Sequence, residues 1–170
     1  MKNLIWILSI LLTLRASGEV KKDTLYLSTN DLIGVWQRNF KEAGNGLLQN
    51  FRFFRDSTFE IHFSNEDEDA RDIRELKGTY RLVNRSLYLT IKSRVVVQGG
   101  KIAITESSES GYIFHFTGGI SKEIAEADPH ESRVPIYINV IEKGKIMLDN
   151  ETYYKMTRDD LRNEGIKGAF

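Results

Sequence analysis

The chain reads as an all-β protein, an antiparallel up-and-down meander closed into a barrel of eight to ten strands. From residue 32 to residue 156 apolar and polar residues alternate with period 2, the pattern of strands with one buried face. Turn-forming residues punctuate the alternation, and no apolar stripe of helical period runs longer than two turns. Closure is expected because an open meander exposes two strand edges, and a barrel removes both.

The elements follow in order. A first run covers Leu32–Phe40 and a second Leu47–Phe54. Arg55-Asp56-Ser57 then turns the chain into a strand where Phe59, Ile61 and Phe63 alternate with Thr58, Glu60 and His62. Tyr80 and Leu82 alternate with Arg81 and Val83, and Asn84-Arg85 is a tight hairpin into Leu87, Leu89 and Ile91. Later runs are Lys101–Glu106, Tyr112–Thr117, Ile136–Ile141, Lys145–Leu148 and Thr152–Met156, with turns at Gln98-Gly99-Gly100 and Glu142-Lys143-Gly144. The count depends on whether 86–97 and 145–156 each form one bent strand or two.

Connection lengths give the barrel two different ends. Alternate connections of a meander lie at the same end, and here 41–46 and 64–75 are long while 55–57 and 84–85 are short. A closed base and an open mouth are the expected result. Residues 118–134 form a long insertion carrying Gly118-Gly119, a helical turn expected over Ser121–Ala127, and Pro129. From Thr157 a short helix is expected, capped by Thr157 or Asp159 and anchored by Leu161.

Composition bounds the function. The 170 residues carry 24 Lys+Arg against 24 Asp+Glu, so nothing electrostatic draws the chain to nucleic acid. Having no cysteine, it forms no disulfide, thiol nucleophile or Cys-ligated metal site. Lys2, the apolar stretch Leu4–Leu14, and small Ala16 and Gly18 before Glu19 read as a secretory signal over 1–18. Eleven residues span only about 16 Å as a helix, against about 30 Å of bilayer core. The organisation expected is therefore a signal at 1–18, a lead at 19–30, the barrel at 31–158 and a tail at 159–170. The protein is expected to be periplasmic or extracellular, with no membrane anchor once the signal is cut.

Four stretches carry a resemblance: Gly34-Val35-Trp36, Phe53-Phe54-Arg55-Asp56-Ser57-Thr58-Phe59, Gly78-Thr79-Tyr80, and Thr152 to Arg158. Together they make residues 31–158 similar to lipocalin-like barrels of the calycin group, in their small exported bacterial form. That resemblance implies that Trp36 packs at the base of the barrel beneath a basic side chain near the last strand, either Lys155 or Arg158.

Candidate chemistry is sparse. An eight-stranded barrel is either filled by its own side chains or holds one small ligand. Ligand-binding candidates are Trp36, Phe53, Phe59, Ile61, Phe63, Tyr80, Leu82, Leu89, Ile91, Tyr112 and Phe114, an aromatic-rich set suited to an apolar or flat molecule. Glu66-Asp67-Glu68-Asp69 lacks the turn glycine and alternating ligands of a calcium loop and reads as a solvated loop. His62, His115 and His130 form no metal-ligand pattern, although His62 and Glu60 share a face by i, i+2 spacing. No nucleophile elbow surrounds Ser107, Ser108 or Ser110. The expectation is a non-enzymatic exported barrel, with no cofactor or metal, that binds a small apolar ligand in or at its mouth. The alternative is a side-chain-filled barrel that contacts a protein partner through its long loops.

Overall fold

Eight antiparallel strands close on themselves in chain order. The computed structural model describes residues 27–41, 49–64, 72–107 and 111–163, the side chains of 105–107, 111–116 and 162–163 excepted. The expected signal, most of the 19–30 lead, the loop 42–48, the acidic run 66–69, Ser108, Ser110 and the tail from 164 lie outside these. A short helix α1 (Thr29–Leu32) leads into β1 (Gly34–Arg38), followed by β2 (Asn50–Phe53), β3 (Thr58–His62), β4 (Ile73–Val83) and β5 (Ser86–Gln98). The chain then leaves the wall as β6 (Lys101–Ser107) and β7 (Gly111–Thr117), a separate two-stranded ribbon. It returns as β8 (Ile120–Ala125) along the C-terminal half of β5. β9 (Ile136–Glu142), β10 (Lys145–Leu148) and β11 (Glu151–Lys155) finish the wall, and β11 pairs with β1 to close it. A helix α2 (Arg158–Asn163) follows.

The alternation placed most strands, and tertiary context moved a few. Leu32 and Ile33 leave the first expected run: Ser28 caps α1 through a reciprocal box with Asp31, and Leu32 ends the helix buried. Gly34 then takes φ +126°, open only to glycine, and starts the strand. Residues 86–98 form one strand, whereas 145–155 form two, joined by Asp149 and Asn150, both at positive φ. The helical turn expected over Ser121–Ala127 is instead β8, because the edge of β5 offers six ladder positions from Ser93 to Gln98. The runs at 101–106 and 112–117 do form strands, but in the ribbon outside the wall. The insertion is therefore longer than 118–134, reaching from Gly99 to Pro135.

That excursion also closes the barrel. β5 and β9 share only the pairs Ser86–Tyr137 and Leu87–Ile136. Above them a strap, residues 126–135, runs along β5 and continues the seam. Ser132 donates its backbone N–H to the Leu89 carbonyl at 2.7 Å, and Glu126 donates to Lys92 at 2.8 Å. Arg81 on β4 holds Glu131 bidentately, at 2.6 and 3.0 Å.

Inside the wall, Phe51, Phe53, Phe59, Ile61, Tyr80, Leu87, Leu89, Ile138, Ile146, Leu148 and Tyr153 form one core with Trp36 and Leu32. A smaller outer cluster of Val35, Met156 and Leu161 docks α2. Thr157 caps this helix, accepting the Asp160 backbone N–H at its Oγ1, and its own N–H donates to the Asp160 carboxylate. The Thr157 hydroxyl donates to the same carboxylate, and with the backbone N–H it holds the Asp160 carboxyl below its ordinary range.

Gly78 sits where β4 is squeezed between β3 and β5. A Cβ there would collide with the Thr90 carbonyl oxygen and press on the Phe59 ring. Gly78→Ala is expected to lower the unfolding free energy by about 3 kcal/mol, measured by urea denaturation. A change within about 0.5 kcal/mol would contradict the tight β4–β5 approach.

Candidate functional site

The meander gives the barrel two ends, and each holds a cavity. Connections 54–57, 84–85 and 143–144 lie at one end with α1; the ends of β1 and β3, the turn 149–150 and the start of the excursion at Gly99 lie at the other. This is the base and mouth that the connection lengths foreshadow.

At the base, Trp36 is 1% exposed, and its indole N–H donates to the Leu32 carbonyl at 2.7 Å. Lys155 spans the gap from β11. Its Nζ lies 5.4 Å from the Trp36 ring centroid and donates to the Asp31 carbonyl at 2.6 Å. Of the two basic residues that the resemblance offered, Lys155 takes the place over the indole. Gly34 makes this possible: a Cβ there would come within 3.1 Å of the lysine Cε. Burial pulls the Lys155 ammonium below the usual lysine range, with Asp31 opposing the shift. Beside it opens a groove of about 610 Å³ lined by Leu27, Val140, Ile146 and Met156, with Glu142 and Lys143 on its rim.

At the mouth, a cavity of about 390 Å³ lies between the inner faces of β4 and β5 and the strap. Ile73, Leu76, Leu89 and Ile91 come from the strands. The strap contributes alternate residues, Glu126, Asp128, His130, Ser132 and Val134, and β9 contributes Ile136. Such alternation is what an extended segment with one face turned inward produces. Arg94 pairs with Glu126 at 3.5 Å on the rim, and His130 Nδ1 lies 3.1 Å from the Asp128 carbonyl. The floor is apolar and the rim charged, within the range of volumes that take small ligands.

Between these ends the barrel is full. Phe51 stacks on Phe53 with centroids 5.7 Å apart, and Phe53 meets Tyr80 edge-on at 5.0 Å. The Tyr80 hydroxyl donates to the Phe54 carbonyl at 3.1 Å. Phe53 and Phe59 are 0% and 1% exposed.

The residues singled out from the sequence therefore separate by depth. Leu89 and Ile91 line the mouth cavity, and Trp36 borders the base groove. Phe53, Phe59, Ile61 and Tyr80 fill the mid-section, with Phe63 and Leu82 packed against it. Tyr112 and Phe114 belong to β7, in the ribbon outside the wall. Ile73, Leu76, Ile136 and the strap residues escaped the sequence reading, as did Val140 and Lys143 at the base.

The pairing of His62 with Glu60 exists, on the outer face of the wall. His62 Nε2 lies 3.1 Å from Glu60 and Nδ1 3.4 Å from Glu75, while Arg52 and Lys77 flank the two carboxylates at 3.7 and 3.3 Å. Burial holds the imidazole below its ordinary value, opposed by the hydrogen bond to Glu60. Neither residue borders the mouth cavity or the base groove. Among the described residues, no group of three His, Asp or Glu side chains is arranged to hold a metal ion, and no helix is long and apolar enough to cross a membrane.

Comparison with known proteins returns nothing: no family model, no curated protein and no solved structure matches the chain. A functional reading therefore rests on this chain's own sequence, fold and cavities.

Because the mid-section is packed, Phe53→Trp is expected to lower stability by about 1–3 kcal/mol through overpacking. Chemical denaturation measures this, and a neutral or stabilising change would show a void beside Phe53.

Proposed function

We propose that the protein is an exported, lipocalin-like barrel that binds a small apolar molecule at its mouth without transforming it. The observation that carries this reading is the cavity beneath the strap, where Ile73, Leu76, Leu89, Ile91 and Ile136 form an apolar floor above a filled mid-section. A floor of this kind gains from covering an apolar ligand at roughly 25 cal/mol per Å² removed from water. The closed eight-stranded meander and the contact of Lys155 with Trp36 support the lipocalin-like assignment. The signal-like stretch at 1–18 supports export.

A second reading rests on the excursion. Ile102 and Ile104 on β6 and Ile120 at the start of β8 are all at least half exposed. Exposed apolar residues gathered in one stretch of chain suit a protein partner.

The uncharged dye N-phenyl-1-naphthylamine tests the leading reading. Its fluorescence is expected to rise saturably on binding, and Ile91→Trp, which fills the cavity, is expected to weaken binding at least tenfold with the fold intact by circular dichroism. A folded protein that leaves the dye dark would end the reading in favour of the excursion as a partner surface.

A further inference from the structure

The groove at the base is a different kind of site from the cavity at the mouth. Its walls are apolar, from Leu27, Val140, Ile146 and Met156, but a lysine ammonium stands against them. Lys155 Nζ has three donors, and among the described residues its contacts are one carbonyl, that of Asp31, and the face of the Trp36 indole. Neither carries a full negative charge. The Asp31 carboxylate, which acts on Lys155 through space, is engaged elsewhere: its Oδ2 accepts the Ser28 backbone N–H at 3.0 Å and the Ser28 hydroxyl at 2.6 Å. Among the described residues, then, no carboxylate sits on the head of this half-buried cation, and desolvation lowers its pKa accordingly. Lys143, in the turn between β9 and β10, adds a second cation to the rim.

We propose that this groove binds an amphipathic monoanion, its head on Lys155 with Lys143 nearby and its apolar body against Val140, Ile146 and Met156. The volume of about 610 Å³ suits a body the size of a medium acyl chain or two fused rings. Glu142 and Asp31 share the rim and repel a doubly charged phosphate, so a singly charged carboxylate is the natural head group. The site is independent of the mouth: the packed aromatic mid-section separates the two, and the base groove borders none of the mouth residues.

Trp36, which borders the groove, is a built-in reporter. Two tryptophans occur in the chain, so Trp6→Phe leaves Trp36 as the only indole. The probe is 1-anilinonaphthalene-8-sulfonate, followed by energy transfer from Trp36 in the full-length Trp6→Phe chain. Transfer is expected to saturate and to be reversed by decanoate but not by decanol. Lys155→Met is expected to weaken probe binding at least tenfold and Lys155→Arg less than threefold, since arginine keeps the charge. Should Lys155→Met fail to fold, Val140→Phe narrows the groove and leaves the charges in place, and it is expected to weaken binding to a similar degree. Ile91→Trp at the mouth is compared by direct excitation of the probe and is expected to leave its affinity unchanged, which separates this site from the uptake of the uncharged dye. No transfer from Trp36 in the folded chain would overturn the proposal. So would displacement by decanol as effective as by decanoate, or binding unchanged in both a folded Lys155→Met and Val140→Phe.

Discussion

Eight strands closed into a barrel enclose an interior only about two side chains wide, and whatever faces inward must fill it or leave a hole. This constraint organises the molecule. The inward positions of β2, β3 and β4 carry Phe51, Phe53, Phe59 and Tyr80, rings that interlock across the axis. Gly78 stands beside them because the Thr90 carbonyl, with the Phe59 ring behind it, already occupies the space its side chain would need. With the middle filled, the mouth cavity and the base groove lie at the two ends, and each end is finished differently. At the base, α1 and Lys155 enclose Trp36; at the mouth, the strap is laid along β5 and walls off a small cavity.

Closure explains the strap as well. β5 continues well past the last residue with which β9 pairs, and the gap in the wall is made good by a segment that reads as a loop. Residues 126–135 supply ladder-like hydrogen bonds without forming a regular strand, and the outward-facing Glu131 is tied to Arg81. The same segment is both the seal of the barrel and the wall of its cavity. The ribbon of β6 and β7 is not part of that seal, which leaves its exposed isoleucines free of any role in the barrel.

Strands were legible in the sequence because one-sided burial leaves a period of two, and Phe59-Glu60-Ile61 or Leu87-Tyr88-Leu89 shows it plainly. The start of β4 was not. A bulge at Arg74 lets Ile73 and Leu76 line the same cavity, so their spacing breaks the alternation. Ser121-Lys122-Glu123 has no β-branched or aromatic residue to mark a strand, and the free edge of β5 overrides that local preference to make β8. Alternation also reports which face a residue takes, never how deep it lies. Phe53 and Ile91 share a face in the pattern, yet one is packed out of solvent contact and the other borders open space. The strap was invisible as a wall because its inward residues are mostly polar, and Lys155 gained meaning only through the family resemblance that placed a cation over Trp36.

The account rests on a filled middle between two open ends. Its most direct test is a crystal of the protein soaked with a brominated naphthalene, located by the anomalous signal of bromine. The account predicts bromine at the mouth beside Leu76 and Ile91, or at the base beside Val140 and Ile146, and none between Phe53, Phe59 and Tyr80. Bromine among those three rings, in an otherwise unchanged barrel, would contradict it.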